Sequence, residues 1–502
     1  MNKKNRLLGI LIAGLLLIAG LLFMAILIKT KLLPVKLLLL AGGAFLVYAI
    51  VVFLLTRNPQ KRGAMVCGCI MAVIMLIVLV LGTPYLTQAL DMLDAITHVE
   101  VEITDMGVYV KAESPAQELN DLSGGSVGIM DILDRENTDE ALENIQTQIG
   151  TLQVQEYAGL GQLISGLFSE EVDAILINSA YLDILTEMEG FENAADQLRE
   201  IHMYQAQTQI QIQVPVEQPE EPEEKKDILD FLIHEETEET KPEHNYNVFT
   251  VYISGIDSRR GLISKSRSDV NIIATVNVDT RQVLLVSTPR DFYVPLPISG
   301  GKPDKLTHAG IYGIDVSMGT LEMLYGTDID YYFRVNFSGF EKIIDALGGV
   351  TVYSDYSFRA GGKSFQKGNN NLNGHEALAF ARERKSFASG DRQRGKNQMA
   401  VIKAVIEKAM SPSLLTNFSE IMQSVSGSFE TSMPYDKIAE LVREQLENGG
   451  SWNVVTCSVD GTGDSKIPYS MNQYAYVMIP DQSTVDTAIA KINQVKTGEV
   501  LN

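Results

Sequence analysis

Six basic residues fall within the fifteen positions from Arg382 to Lys396, in a chain whose formal net charge is −22. The run Phe380-Ala381-Arg382-Glu383-Arg384-Lys385 is followed closely by Asp391-Arg392-Gln393-Arg394-Gly395-Lys396-Asn397-Gln398. Cations concentrated against the prevailing charge point to an anionic ligand rather than to general solubility. Read as a helix, the second run places Asp391, Arg394, Gln398, Ile402, Val405 and Ala409 on one stripe at about 100° per residue. The apolar half of that stripe should face a core, and its polar half should open onto a cavity beside it. An arginine near the positive end of a helix is well placed to hold phosphate. The plainer alternative is a solvated helix start with ordinary salt bridges.

Other polar residues gather where strands should end. Gly255-Ile256-Asp257 closes a strand at 248–256, Arg267-Ser268-Asp269 leads into one at 269–278, and Pro289-Arg290-Asp291 follows one at 283–287. Ligands of open α/β sheets bind outside the carboxyl ends of strands, so Asp257 and Arg290 are candidates to meet in one crevice. Asp269 joins them if the second strand is antiparallel to the first, and Arg267 points the same way if its segment is extended. Arg382 and Arg384 share a side on the same condition. Two carboxylates with several arginines suit a pyrophosphate held by guanidinium forks, with Mg2+ bridging carboxylate and phosphate. Bidentate geometry explains why these positions are mostly Arg and not Lys. Strand-end salt bridges explain any one pair equally well, but explain the whole set less well.

The elements that must position these residues read as a mixed sheet covered by helices on both faces, an α/β fold. Residues 277–281 form the turn of a hairpin between the second and third strands. Helices are expected at 314–324, 340–347, 374–381, 391–410 and 438–447, with further strands at 331–335, 350–353 and 453–459. This domain is placed at 247–495, with 496–502 as a tail.

Ahead of it, residues 83–213 read as a small accessory α/β domain. Strands are expected within 98–111, 126–130 and 174–177, and helices at 139–150, 160–168 and 193–202. It offers no nucleophile with a base, no metal-ligand spacing and no glycine-rich phosphate loop. Residues 214–246 form an acidic, proline-containing linker, with twelve acidic residues and four prolines between Val214 and Glu243.

Residues 1–82 are a membrane domain. Apolar runs at 7–28, 37–55 and 63–81 are each long enough to span a bilayer. Lys3, Lys4 and Arg6, with Arg57, Lys61 and Arg62, favour the inner side. Lys29, Lys31 and Lys36 dissent. Asp91, Asp94, Glu100 and Glu102 after the third run suit the outer side, which puts the carboxy-terminal domains outside the cell on a multi-pass anchor in the cytoplasmic membrane. The acidic balance argues against nucleic acid as a partner. Three cysteines, two of them in an apolar run, provide no disulfide framework.

Several tempting motifs fail. Gly362-Lys363-Ser364 lacks the leading glycine of a phosphate loop. Asp460 to Asp464 is too short for a calcium hand. His375-Glu376 lacks the second histidine of a zinc protease helix. His308 lines the site or, more simply, is a satisfied structural histidine.

Taken in order, eight blocks resemble the LytR-CpsA-Psr family of cell-envelope phosphotransferases. They are Gly255-Ile256-Asp257, Arg267-Ser268-Asp269, Ser287-Thr288-Pro289-Arg290-Asp291, Lys305-Leu306-Thr307-His308-Ala309, Asn336-Phe337-Ser338-Gly339-Phe340, Asp345-Ala346-Leu347-Gly348-Gly349-Val350, Ala381-Arg382-Glu383-Arg384, and Asp391-Arg392-Gln393-Arg394 with Gln398. Membrane helices and an accessory domain before the catalytic one resemble the streptococcal capsule-locus, CpsA-like branch.

The resemblance implies transfer of a capsular polysaccharide or related glycopolymer from a polyprenyl-pyrophosphate carrier to peptidoglycan, outside the membrane, with Mg2+ or alternatively Mn2+. A side pyrophosphatase activity is compatible with the same chemistry. The implied partners are the lipid-linked glycan, the peptidoglycan acceptor, the membrane and the capsule synthesis machinery. Pyrophosphate would be bound by Arg267, Arg290, Arg382, Arg384, Arg394 and Gln398, and the metal by Asp257 and Asp269. Asp391 would orient arginine or substrate. The catalytic set would be Asp269, Arg290, Asp291 and Arg394, with Asp269 or Asp291 receiving the acceptor proton. The apolar stripe Ile402, Val405 and Ala409 is a candidate lining for the lipid tail. Thr307-His308 stands where many relatives have Asn-His, and Gly310 where an aromatic is common. The rival functions are a pyrophosphate-lipid sensor without chemistry and a transcriptional regulator.

Overall fold

The computed structural model describes residues 3–29, 33–56, 62–97, 101–209, 247–257, 262, 264–388, 390–411, 425 and 427–501. The linker expected at 214–246 lies outside the described residues, as do Arg57 and Lys61 of the second membrane loop.

In chain order, α1 (Lys3–Lys29), α2 (Val35–Thr56) and α3 (Arg62–Thr97) come first. They are followed by β1 (Val101–Lys111), β2 (Ser126–Met130), α4 (Arg135–Ile149), β3 (Gln153–Tyr157), α5 (Leu160–Phe168), β4 (Ala174–Asn178), α6 (Leu182–Leu185) and β5 (Leu198–Gln209). Beyond the linker lie β6 (Val248–Ile256), β7 (Ser268–Asn277), β8 (Gln282–Thr288), β9 (Tyr293–Pro295), β10 (Pro303–Lys305), α7 (Leu306–Tyr312), α8 (Ile314–Tyr325), β11 (Tyr331–Asn336) and α9 (Phe337–Ala346). Then come β12 (Val350–Ser354), β13 (Phe358–Ala360), β14 (Lys363–Phe365), β15 (Gly368–Leu372), α10 (Gly374–Arg382) and α11 (Asp391–Ala409). The chain closes with β16 (Phe429–Thr431), α12 (Tyr435–Asn448), β17 (Asn453–Ser458), β18 (Gly461–Lys466), β19 (Ala475–Pro480) and α13 (Gln482–Lys496).

Two compact units result, one of residues 1–99, 338–380 and 400–452, the other of residues 100–337, 381–399 and 453–502. In the first, α1, α2 and α3 carry stretches long and apolar enough to cross a membrane, at Leu11–Lys29, Val35–Thr56 and Gly63–Pro84. Their outward faces are apolar, whereas Leu16, Val52, Ala72 and Leu79 pack inward together. Gly20 lies against the Phe45 ring so closely that a Cβ could not fit, the small-residue contact that lets membrane helices approach.

The second unit holds two larger sheets and, among the described residues, the two-stranded pairs β9-β10 and β18-β19. The accessory sheet has the order β3-β2-β4-β1-β5, with β2 parallel to β3 and β4, and β1 antiparallel to β4 and β5. The expectation of a helix at 193–202 is wrong. A 3-10 turn at Ala195–Gln197 leads into β5, an edge strand pairing along the whole of β1. Tertiary pairing overrode a locally helical pattern. Strand β3, all but one of whose residues are exposed, also escaped the periodicity reading.

Within this unit the larger sheet runs β11-β6-β7-β8-β17, parallel at both outer pairs and antiparallel at the two inner ones. The hairpin expected at 277–281 joins β7 to β8. Tyr252, Ile273, Leu284 and Val286 from the sheet form one core with Ile314, Met318 and Leu321 of α8 and Val485, Ile492 and Val495 of α13. Leu501, in the expected tail, is buried in that core and donates its N–H to Gln282 Oε1 at 2.8 Å. Since β8 runs parallel to β6, the carboxyl ends of β6, β8, β11 and β17 lie together, beside the start of β7.

The accessory elements share a side-chain cluster with α7 and the start of β19. Ile311 of α7, Met471 and Ala475 complete the cluster of Tyr181, Ile184, Leu185 and Met188. The Glu102 carboxylate, 2% exposed, ion-pairs with Arg334 of β11 and accepts the Ile314 N–H at 3.0 Å.

Candidate active site

A bulge begins the site. Along the β6–β7 ladder Gly255 pairs with Val270 and Ile256 with Ser268, so Asp269 is the extra residue. A bulge of this kind re-aims a side chain out of the ladder. Its carboxylate Oδ1 takes Arg290 Nη1 at 3.0 Å and lies 3.4 Å from the Thr307 hydroxyl. Asp257, one residue beyond Ile256, is exposed at the same strand end.

From Arg290 the charges alternate. Its Nε is 3.7 Å from Asp291 Oδ2, and Asp291 Oδ1 is 3.7 Å from Lys305 Nζ. Lys305 Nζ is 2.5 Å from Glu187 Oε2, and Glu187 Oε1 accepts from Arg267 Nη1 at 2.6 Å. The sequence Asp269, Arg290, Asp291, Lys305, Glu187, Arg267 is therefore one continuous ionic chain, with every side chain largely removed from solvent.

The start of α11 supplies a second group. Arg394 Nη2 donates to Asp391 Oδ2 at 2.8 Å, and Arg384 Nη1 is 3.8 Å from Asp391 Oδ1. Gly395 allows the approach, because a Cβ there would lie 3.1 Å from Ser287 Oγ at the end of β8. Gln398 is half-buried one turn beyond Arg394.

Two expectations require correction. Arg382 and Arg384 do not lie on an extended piece. Arg382 ends α10, and its guanidinium sits over the Phe337 ring, 4.2 Å from the centroid. The stripe Asp391, Arg394, Gln398, Ile402, Val405 and Ala409 is half-buried, not core-facing. The buried positions of α11 include Gln393, Asn397, Val401 and Ala404.

The electrostatics separate the carboxylates. Burial pushes the Asp291 carboxyl above its ordinary range, and Arg290 and Lys305 offset this only in part. Burial acts the same way on Glu187, yet Lys305, His308 and Arg267 outweigh it and hold the carboxyl at about 2. Arg290 would lose affinity for its proton through burial, but Asp269 and Asp291 raise it above its usual value. Arg394 is lowered, first by burial and then by the Arg290 guanidinium, against the pull of Asp391.

His308 is fully buried, its Nδ1 2.7 Å from Asp304 Oδ1 and 2.8 Å from Ser470 Oγ. Serine and aspartate thus meet at the same ring nitrogen, which is not the relay of a nucleophilic triad, and the histidine is structural. The other decoys are also ion-paired: Lys363 with Glu376, Asp460 with Arg392, and Asp464 with Lys466. Gly310 is explained by space. A Cβ there would lie 2.5 Å from the Ser266 carbonyl oxygen, so α7 packs directly on the backbone that carries Arg267. Gly310→Ala should therefore destabilise the chain by about 1–3 kcal/mol through overpacking, measured by denaturant unfolding.

Glu187 and Lys305 were given no role from sequence. Lys305 stands inside a recognisable block. Glu187 lies in Thr186-Glu187-Met188-Glu189-Gly190, where nothing in the spacing marks it.

The LytR_cpsA_psr family profile matches residues 202–493, more than half of the chain. The chain belongs to this family. A second profile, for a DNA polymerase processivity factor, matches residues 63–177. Among curated relatives, a polyisoprenyl-teichoic acid–peptidoglycan teichoic acid transferase TagU of Oceanobacillus iheyensis is 33% identical over 257 residues, covering 50% of this chain and 75% of that one. The Enterococcus faecalis protein of the same description is 30% identical, covering 51% and 82%. The Bacillus licheniformis TagU is 36% identical, but the chain spans only 64% of its length. The crystal structure of Bacillus subtilis TagV aligns at 27% identity and a TM-score of 0.43, covering 51% of this chain and 99% of that one. All the residues of the ionic chain except Glu187 lie within the span of the LytR-CpsA-Psr match.

Proposed function

We propose that the chain transfers a glycopolymer from a polyprenyl-pyrophosphate carrier to peptidoglycan at the outer face of the cytoplasmic membrane. The observation that carries this reading is Arg290, held between Asp269 and Asp291 at the strand ends with Arg394 beside it. Relatives described as polyisoprenyl-teichoic acid–peptidoglycan transferases support the reaction class. Capsular polysaccharide is the polymer proposed, and the capsule synthesis machinery the partner that delivers it.

Asp257 and Asp269 fit Mg2+, which takes one or two carboxylates and completes its shell with water and phosphate oxygens. The bulge brings Asp269 to the end of β6 where Asp257 stands. When bound there, the ion would neutralise charge on the pyrophosphate. Among the described residues there is no cluster of three or more His, Cys, Asp or Glu that would cage a metal alone. Substrate phosphate therefore belongs to the proposed shell.

In the proposed reaction, an acceptor hydroxyl oxygen attacks the phosphorus that carries the polymer. A new O–P bond forms, the bond to the bridging oxygen of the pyrophosphate breaks, and polyprenyl phosphate leaves. Arg290 and Arg394 would stabilise the charge on the transferred group, with Arg267, Arg382, Arg384 and Gln398 as further proposed contacts of the pyrophosphate. Asp291 is the preferred acceptor of the hydroxyl proton, since its raised affinity brings it nearer the working pH, whereas Asp269 is engaged with Arg290.

The sign of the pH effect follows. The base must be deprotonated, so the rate should climb as pH rises through a value above the ordinary carboxylate range. Asp291→Asn should remove that limb and lower kcat by about 10²–10⁴-fold. A rate profile of the purified full chain with labelled carrier-linked polymer and peptidoglycan reads both. An unchanged acid limb in Asp291→Asn would assign the proton elsewhere. Absence of transfer under every metal condition, with the carrier lipid still bound, would leave a sensor in place of an enzyme. Protease accessibility of the carboxy terminus on intact cells tests the outer location.

A further inference from the structure

Glu187 comes neither from the strand ends nor from the arginine-rich run. It follows α6, in the part of the chain that precedes the linker. Yet its two carboxylate oxygens are divided between two cations of the site, Arg267 at 2.6 Å and Lys305 at 2.5 Å. The Lys305 side chain is 3% exposed. A buried ammonium needs a partner at hydrogen-bond distance. The Asp291 carboxylate, at 3.7 Å, lies beyond that distance, so Glu187 is the group that meets the need.

The segment around Glu187 is anchored. Ile184, Leu185 and Met188 are fully buried on either side of it, and the Glu189 carbonyl accepts from Gln473 Nε2 at 3.2 Å. Tyr181 Oη donates to Tyr312 Oη at 3.3 Å. A carboxylate carried on such a segment stays where it is when an anion arrives. One that merely competed with phosphate for Arg267 would need room to withdraw.

We propose that Glu187 is a positioning residue of the phosphate site, fixing Arg267 and Lys305 in the geometry that receives the carrier's pyrophosphate. The proposal deepens the transferase reading and rests on it. Nη1 of the Arg267 guanidinium is tied down, so less rotamer freedom is lost on binding. The accessory sheet is then part of the active site, and a domain without chemistry of its own supplies the residue that orders two cations.

The test uses the full chain in detergent, with wild type, Glu187→Gln, Glu187→Asp, Arg267→Ala and the Glu187→Gln/Arg267→Ala double variant. Two measurements are made: steady-state transfer from the labelled carrier-linked polymer, and calorimetric binding of inorganic pyrophosphate. Glu187→Gln should raise KM and weaken pyrophosphate binding about tenfold, with kcat changed far less. Glu187→Asp should recover part of the loss. The double variant should lose less, relative to Arg267→Ala, than Glu187→Gln loses relative to wild type, because the part of the effect carried by Arg267 is already gone and only the part carried by Lys305 remains. Unchanged KM and pyrophosphate affinity in Glu187→Gln overturn the proposal, and so does tighter binding, the sign of a competing carboxylate. Equal losses for Gln and Asp that track a fall in melting temperature reduce Glu187 to a structural role and overturn it too. If wild type binds pyrophosphate but transfers no polymer, the transferase reading fails, and the binding measurements still decide the role of Glu187.

Discussion

Arg290→Ala is expected to lower kcat/KM for polymer transfer by roughly 10³-fold, about 4 kcal/mol of transition-state stabilisation, with Arg394→Ala close behind. Arg290 is enclosed by opposite charge, with Asp269 at 3.0 Å and Asp291 at 3.7 Å, and its side chain is 18% exposed. Truncation would take away the cation and also leave two carboxylates facing one another with nothing between them. Both would then gain protons more readily, which disarms the proposed base and weakens the proposed metal site together. Arg290→Lys should recover little, because an ammonium cannot reproduce a planar fork that reaches both carboxylates. Arg394 differs in having, among the described residues, Asp391 as its carboxylate partner, and a pKa lowered by burial and by Arg290. A guanidinium that feels the repulsion of Arg290 makes sense where an anion comes between them. Initial rates with labelled carrier-linked polymer read the effect, alongside unfolding midpoints to confirm the fold. Turnover within about tenfold of wild type in both variants would remove these residues from the proposed transition state.

Glu102→Ala should destabilise the chain by about 3–5 kcal/mol, the usual effect of removing one member of a buried pair. Glu102 and Arg334 are each 2% exposed, and the carboxylate also accepts the Ile314 N–H at the start of α8. Its removal leaves Arg334 charged in a dry setting and takes away an anion at the positive end of a helix. Glu102→Gln keeps an acceptor for that N–H and should fall between wild type and Ala. Replacing both partners, as in Glu102→Leu with Arg334→Met, should restore much of the loss, since the desolvated charge disappears from both sides. Urea unfolding measures each step. A Glu102→Ala loss below about 1 kcal/mol would mean the pair is solvated in solution.

The extent to which the site was legible in sequence can be judged from particular residues. Asp257 and Arg290 stand at strand ends marked by polar residues after apolar runs, which makes them candidates for one crevice, whereas Asp269 is brought there by an antiparallel pairing and a bulge that the sequence leaves open. Arg394 and Asp391 stand out as candidates because their segment's charge opposes the chain's net charge. Arg382 and Arg384 stand out in the same way, but the segment that carries them is not extended. The boundary between a helix end and an extended piece depends on the α10 packing of Arg382 over Phe337, which no local pattern records. The stripe on α11 was read one position off because Gln393 and Asn397, polar in type, are buried. They are joined by a 3.0 Å side-chain hydrogen bond that a hydropathy pattern cannot see.

By itself, the sequence determined what period, composition and local order can carry: three apolar helices, the strands and helices of the larger sheet, and the residue types of a candidate anion site. Only the tertiary structure decided which cation meets which carboxylate. The 193–202 segment became β5 because β1 offered a complete ladder, a choice made by a partner strand far away in the chain. Glu187 reached Arg267 from 80 positions away, and Glu102 reached Arg334 from 232. Such contacts depend on how elements distant in the chain pack against each other. Local spacing encodes the faces that pack, but it does not encode the pairs that meet.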